Sequence, residues 1–349
     1  MKFLFLGYHN PHFISLPEYI ENAITSLGYE LEVFDYRKWL IPGRIRQRFP
    51  FLDKLDSLRI NNRLIARVHK TMPDVILANG AWTVLPDTIR TIRSCSNSRT
   101  ALWIADFPAK FPEFQKAGPA YHHFFASGTD ALKRYAACGG HNGSWLPFAA
   151  DPVMHAPVQL TEEDKRKYGH DICYVGSRVS ERVELLEQLC DFDLGVWGAG
   201  WDSLPGKSPL RSRVCGGPVT PDVWTRIFAA SKIVLNIIGH RCDVMEPYIQ
   251  ENEFRMTNTK VFEILGCGGF QMVDAKADAL ALFEDKKHLV YYRNIHELRD
   301  LISHYLAHPE ERSSIASAGR SEVLQKHTYR HRVEKIMFTL SPEAAACQH

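Results

Sequence analysis

Residues Thr257-Asn258-Thr259-Lys260-Val261-Phe262-Glu263-Ile264-Leu265-Gly266-Cys267-Gly268-Gly269-Phe270 form a polar cap, a short helix and a glycine-rich exit into a strand. Thr257, Asn258 and Thr259 are all good N-cap types. Lys260 falls in or near the first turn, and Glu263, three residues on, shares its helix face. Unpaired N–H groups at a helix start, with a lysine beside them, suit a diphosphate. A carboxylate one turn away suits sugar hydroxyls. Diphosphate and hydroxyls together describe one end of a nucleotide-sugar. The same residues also fit a capping box, with Glu263 bonded back to the backbone at 258–260. Both explanations stand on this segment alone.

Outward from it, both halves of the chain alternate short apolar runs with longer amphipathic ones, the pattern of βαβ units and parallel sheets. In the first half, strands are expected at 2–6, 31–35, 74–78, 100–105, 122–126 and 143–147, and helices at 17–28, 52–71, 85–94 and 129–137. Pro147, Pro152 and Pro157 then interrupt the pattern, which places an inter-domain linker at 148–165. Strands resume at 171–175, 193–197, 232–238, 269–273 and 288–292. Helices follow at 180–190, 220–230, 259–266, 278–284, 294–307, 309–325 and 328–340. The expected fold class is α/β: two Rossmann-like domains whose strand carboxyl ends face a central cleft.

Composition is that of an ordinary globular protein, with 45% hydrophobic and 23% charged residues in 349. No apolar run approaches the roughly 18–20 residues that span a bilayer, and Met1–Gly7 is too short an apolar run for a signal peptide. None of the eight cysteines forms a Cys-x-x-Cys pair, which argues against a zinc ribbon or redox motif. A reducing, cytoplasmic setting is expected. Net charge is +2 overall but uneven: residues 1–155 hold 18 Lys/Arg against 13 Asp/Glu, and 37–70 hold ten against two.

Four further constellations bear chemistry. Tyr174-Val175-Gly176-Ser177-Arg178 runs a buried strand into a glycine and then a helix, an arrangement that receives phosphates; a plain turn capped by Ser180 fits as well. Gly7-Tyr8-His9-Asn10-Pro11-His12 follows the first strand, where His9 or His12 suits a general base. Asp106, at the end of another strand, is its natural orienter. Arg59, Arg63, Arg67 and Lys70 share one helix face, with Leu52, Leu55, Leu58, Ile65 and Val68 as its apolar stripe. Such a helix can hold an anionic acceptor or an acidic membrane surface, or be simply solvated. Gly198-Ala199-Gly200-Trp201 lines a nucleotide pocket or makes a tight turn. A metal site is not expected, since there is no His-Glu-x-x-His and no Asp-x-Asp triplet of the kind that binds a metal–diphosphate in single-domain glycosyltransferases. Nucleic-acid binding is not expected of a nearly neutral chain.

These residues resemble the bacterial CgeB-like glycosyltransferases, a spore-maturation branch of the GT-B superfamily. The resemblance rests on Asp171–Arg178, Ser231-Lys232-Ile233-Val234-Leu235-Asn236-Ile237, residues 258–270, Glu310-Glu311-Arg312, Ile315–Arg320 and His327-Thr328-Tyr329. Trp103-Ile104-Ala105-Asp106-Phe107-Pro108 and Leu146–Ala149 are similar too. It implies a GT-B fold with an acceptor-binding domain over 1–155, a nucleotide-sugar-binding domain over 156–327, and a terminal helix within 328–349 that crosses back to the first. Glu263 matches the glutamate that binds the donor ribose. Lys260 stands where arginine is common and keeps a cation for the diphosphate, without bidentate geometry. Arg255 stands where retaining enzymes often carry a second glutamate, which leaves the stereochemical outcome open.

The expected function is thus metal-independent transfer of a sugar from a nucleotide-diphosphate-sugar to a hydroxyl acceptor: a cell-envelope glycan, lipid carrier or protein. No cofactor is expected. Gly176, Ser177, Arg178, Asn258, Thr259, Lys260 and Glu263 would hold the donor, and Arg59 and Arg63 the acceptor. His9 or His12 with Asp106 would activate it. Residues 37–70 are the candidate for peripheral contact at the inner face of the membrane. Two alternatives stay open: a nucleotide-sugar 2-epimerase on the same fold, and a non-catalytic nucleotide-sugar-binding or spore-surface interaction protein.

Overall fold

The computed structural model describes residues 1–11, 14–105, 111–239 and 255–341. They form two compact units. The first gathers Met1–Pro147 and the helix at Tyr329–Leu340; the second is Phe148–Thr328.

The first unit is built on β1 (Lys2–Gly7), β2 (Glu30–Asp35), β3 (Val75–Asn79), β4 (Arg99–Ile104), β5 (His123–Ala126) and β6 (Gly143–Trp145), all parallel in the order β2-β1-β3-β4-β5-β6. The central strands are continuous apolar runs because helices cover both faces; Phe3, Leu4, Phe5 and Leu6 are all fully buried. The helices are α1 (Leu16–Ser26), α2 (Gly43–Arg48), α3 (Pro50–Thr71), α4 (Pro86–Cys95), α5 (Phe111–Ala117) and α6 (Thr129–Ala137). Ser15 and Glu18 close α1 with a capping box.

The second unit holds α7 (Glu162–Tyr168), β7 (Ile172–Val175), α8 (Ser180–Glu187), β8 (Leu194–Trp197), β9 (Val214–Gly216), α9 (Pro221–Ala230), β10 (Ile233–Asn236), α10 (Thr259–Gly266), β11 (Gln271–Asp274), α11 (Ala277–Leu280), β12 (Val290–Tyr292), α12 (Ile295–Ala307) and α13 (Pro309–Lys326). Its parallel sheet runs β12-β11-β10-β7-β8-β9. The last helix, α14 (Tyr329–Leu340), belongs to the first unit: Tyr329 stacks on Tyr19 of α1 at 5.7 Å, and Arg332 Nε donates to the Pro147 carbonyl at 2.8 Å.

Three differences from the sequence pattern have physical causes. The stretch expected as a linker runs into the first turn of α7, whose start is the capping box Thr161-Glu162-Glu163-Asp164. The short edge strand β9 carries too few residues for a periodic pattern. On α3 the expected apolar stripe splits: Val68 is buried and Ile65 half-buried, but Leu55 and Leu58 are 57% and 41% exposed. The buried face is Asp56, Ile60, Asn61, Leu64 and Val68. Asp56 and Asn61 are tolerated there because each is satisfied: Asp56 accepts from the Leu40 and Ile41 N–H groups, and Asn61 donates to the Thr83 carbonyl.

Candidate functional site

In an open parallel sheet, the crevice for ligands lies where strand order reverses, at the carboxyl ends. In the second unit the reversal falls between β7 and β10, and both sequence motifs leave those two strands. Gly176, Ser177 and Arg178 lie between β7 and α8, and Asn258–Glu263 opens α10 after β10.

The start of α10 is held by a pair of asparagines. Asn258 is the N-cap, its Oδ1 accepting from the Val261 N–H at 3.2 Å. The same amide exchanges two hydrogen bonds with Asn236, the last residue of β10, at 3.0 and 2.9 Å. The helix N-terminus is thereby clamped to the carboxyl end of a central strand. Thr259 and Lys260 are the first two helical residues. Glu263 makes no bond back to the cap among the described residues, so the capping-box alternative does not hold. Its carboxylate is buried, 3.8 Å from Lys260 Nζ. Trp224 lies 5.8 Å from that ammonium. His155, fully buried 5.5 Å from Trp224, takes a hydrogen bond from the Asp151 N–H. Burial depresses the His155 pKa, with Glu263 pulling the other way. Asn236, Trp224 and His155 carry no spacing signal, being far from α10 in sequence.

The Gly176 loop is braced by the one after β8. Trp201 Nε1 donates to the Gly176 carbonyl at 2.8 Å, and the Arg178 N–H to Ala199 at 2.8 Å. Gly198 is required here: its φ is +142°, and a Cβ would stand 2.0 Å from the Gly176 oxygen. Gly198–Trp201 is thus the turn that shapes the Gly176 loop. Ser180 is the first residue of α8 and Val179 its N-cap, so Ser180 does not cap. Ser177 is exposed, and its carbonyl accepts from Arg182. Two buried polar atoms on these motifs, Arg178 Nε and Thr257 Oγ1, have no hydrogen-bond partner among the described residues.

Asp274, ending β11, is a group the sequence did not single out. It accepts from the Ile238 N–H at 2.7 Å and lies 3.2 Å from Lys276 Nζ. Burial dominates both groups: it raises Asp274 to about 6 against the backbone N–H bonds it accepts, and lowers Lys276 to about 8. Arg255 lies 3.9 Å from Asp278.

In the first unit the reversal of order falls between β1 and β3, and the loop after β1 carries His9. Its Nε2 is 2.7 Å from Glu21 Oε1 of α1. Burial raises the Glu21 pKa, with His9 opposing. The other two residues expected to act there, His12 and Asp106, lie outside the described residues. Of the candidate acceptor residues, Arg59 bonds Asp56 at 2.8 Å and the Lys38 carbonyl at 2.7 Å, and Arg63 is exposed.

Residues 178–337 match the model of a family described as glycosyl transferase-like. The chain is 24% identical over 212 residues to the spore protein CgeB of Bacillus subtilis (strain 168), which covers 57% of this chain and 62% of that one. The chain is therefore similar to glycosyl transferase-like proteins. Among solved structures, the chain is similar to Anabaena HepE in complex with UDP and glucose (TM-score 0.62, 14% identity, 97% of this chain and 99% of that one). It is also similar to the sucrose-phosphate synthase of Thermosynechococcus elongatus (TM-score 0.69, 12% identity, 99% of each chain). The expected α/β GT-B fold class is therefore met. No helix among the described residues is long and apolar enough to cross a membrane.

Proposed function

We propose that this chain moves a glycosyl group from a nucleoside-diphosphate-sugar to an acceptor hydroxyl. The observation that carries this is the meeting of two phosphate-type motifs on β7 and β10 at the switch point of the second unit, one of them a helix start clamped by Asn236. Arg178 Nε and Thr257 Oγ1, buried without partners among the described residues, are donors that an oxygen-rich ligand would satisfy. The family match supports the same reading. The relative HepE was crystallised with UDP and with UDP-glucose, a donor of the class proposed.

In the transfer, the bond from the anomeric carbon to the diphosphate oxygen breaks and a bond to the acceptor oxygen forms. The nucleoside diphosphate leaves, and the hydroxyl proton passes to a base. Lys260, Arg178, Ser177, the Gly176 loop and the free N–H groups after Asn258 and Thr259 would stabilise the leaving diphosphate, without need of a metal ion. Glu263, held near Lys260, would accept from the ribose hydroxyls. His9 would take the acceptor proton in an inverting reaction, with Glu21 orienting its ring. Arg59 and Arg63 would meet an anionic acceptor among cell-envelope glycans, lipid carriers or proteins.

Titration calorimetry with UDP, GDP and dTDP sugars tests the donor site. Lys260→Ala and Glu263→Ala should each weaken the cognate donor about 10–100-fold, the range for a charge-assisted hydrogen bond worth roughly 1.5–3 kcal/mol. Unchanged affinity in both variants would sink the assignment. Release of nucleoside diphosphate that requires an acceptor and survives chelation supports the transferase. Epimerised donor without acceptor, or binding with no turnover, would replace it.

A further inference from the structure

The outward face of α2 and the first half of α3 is apolar where a solvated helix would be polar. Among the described residues, six of the fourteen exposed large hydrophobic side chains fall within residues 40–58: Leu40, Ile45, Phe49, Phe51, Leu55 and Leu58. Phe51, Leu55 and Leu58, at spacings of four and three, share the side of α3 opposite its buried face. Phe49 and Phe51 meet edge to face at 6.2 Å. Leu40 is 70% and Phe51 61% exposed, and nothing among the described residues covers them.

The charge around this apolar arc has one sign. The two acids of the segment are already engaged, Asp53 by Arg46 at 2.6 Å and Asp56 by Arg59 at 2.8 Å. Arg44, Arg48, Lys54 and Arg63 have no carboxylate partner among the described residues. Aromatic and aliphatic tips flanked by unpaired cations match a bilayer surface whose headgroups are anionic: the tips enter the acyl boundary while the cations stay at the phosphates. A protein partner would be expected to present carboxylates and a shaped apolar surface; a bilayer needs neither.

We propose that the α2–α3 face seats the first unit on an anionic lipid surface. This would place an acceptor carried in or at that surface within reach of the enzyme. The docking itself does not depend on the donor-site reading.

The test is co-sedimentation of the full chain with vesicles of phosphatidylcholine, alone or with about a third phosphatidylglycerol. The wild-type chain should pellet with the anionic vesicles, and much less with phosphatidylcholine or at 1 M salt. Arg44→Gln with Arg48→Gln should weaken anionic binding about 25-fold, at about fivefold per charge. Phe49→Ser with Phe51→Ser should weaken it at least about tenfold. All four side chains are exposed, so the variants should keep the wild-type melting temperature and donor affinity. A chain that stays in the supernatant with anionic vesicles would overturn the proposal, as would variants that pellet like wild type. So would a lipid-free dimer, seen by light scattering, that the Phe49→Ser/Phe51→Ser variant dissolves.

Discussion

The Asn236–Asn258 pair offers a quantitative test, because it joins strand to helix across a sequence separation of 22 residues. Asn236 is 2% exposed. Asn236→Ala removes two hydrogen bonds worth roughly 1 kcal/mol each, about 2 kcal/mol in all. Asn258→Ala removes the same two and also the cap on Val261, which adds about 1 kcal/mol, for a total of about 3 kcal/mol. Were the sites independent, the double variant would lose about 5 kcal/mol. Because both singles delete one shared interaction, it should lose only about 3, a coupling energy of about 2 kcal/mol. Equilibrium urea unfolding of the four chains measures this. The same chains should show donor affinity falling together in all three variants, since each frees the same helix start. Additive losses, with coupling below about 0.5 kcal/mol, would refute the clamp. So would full donor affinity in Asn258→Ala.

Two other outcomes follow from the same unit and its neighbour. Gly198→Ala should destabilise by at least about 2 kcal/mol, through a positive φ and a contact with the Gly176 oxygen, and should weaken donor binding. Gly206→Ala, with open space around its Cβ position, should stay within about 0.5 kcal/mol of wild type. The pH dependence has two opposing parts. Asp274 holds a proton up to about 6 when folded but only to about 4 when unfolded. Its contribution is therefore greatest in acid and is lost, by about 3 kcal/mol, as pH rises through 6. His123, lowered to about 4 by burial, does the reverse: its contribution is complete above pH 6.5 and lost as pH falls toward 4. Urea midpoints at pH 4.5, 6 and 7.5 should show Asp274→Asn weakening the first trend and His123→Asn the second, part of which His122, also lowered to about 4, would keep. Slopes unchanged from wild type would contradict the burial of these groups.

Much of the fold was legible because its signals are local. Apolar runs of four to six residues between amphipathic ones suffice to mark buried parallel strands, since burial on both faces leaves no polar alternation to disguise them. Thr257-Asn258-Thr259-Lys260-Val261-Phe262-Glu263 likewise announced a helix start by residue type alone. What stayed hidden was whatever depends on a partner distant in sequence. Glu263 could have capped the helix start as far as residue type goes, and only the structure gives that place to Asn258. His9 suggested an acidic partner, and among the described residues Glu21 of the next helix is one, a contact that no spacing in the sequence announces. Asp274 looks like any strand-end acid until Ile238 and Lys276 close around it.

The split of α3 shows the same division most simply. Its sequence determined a helix with apolar residues on more than one arc. Only the tertiary structure decided which arc is core, because Asp56 and Asn61 found backbone partners inside and left Leu55 and Leu58 outside. In the same way, residue types alone determined two phosphate-suited turns. Their adjacency was decided by strand order, which placed β7 beside β10 although 57 residues separate the end of one from the start of the other. Periodicity records what each residue can bury, whereas pairing between distant strands decides what it meets.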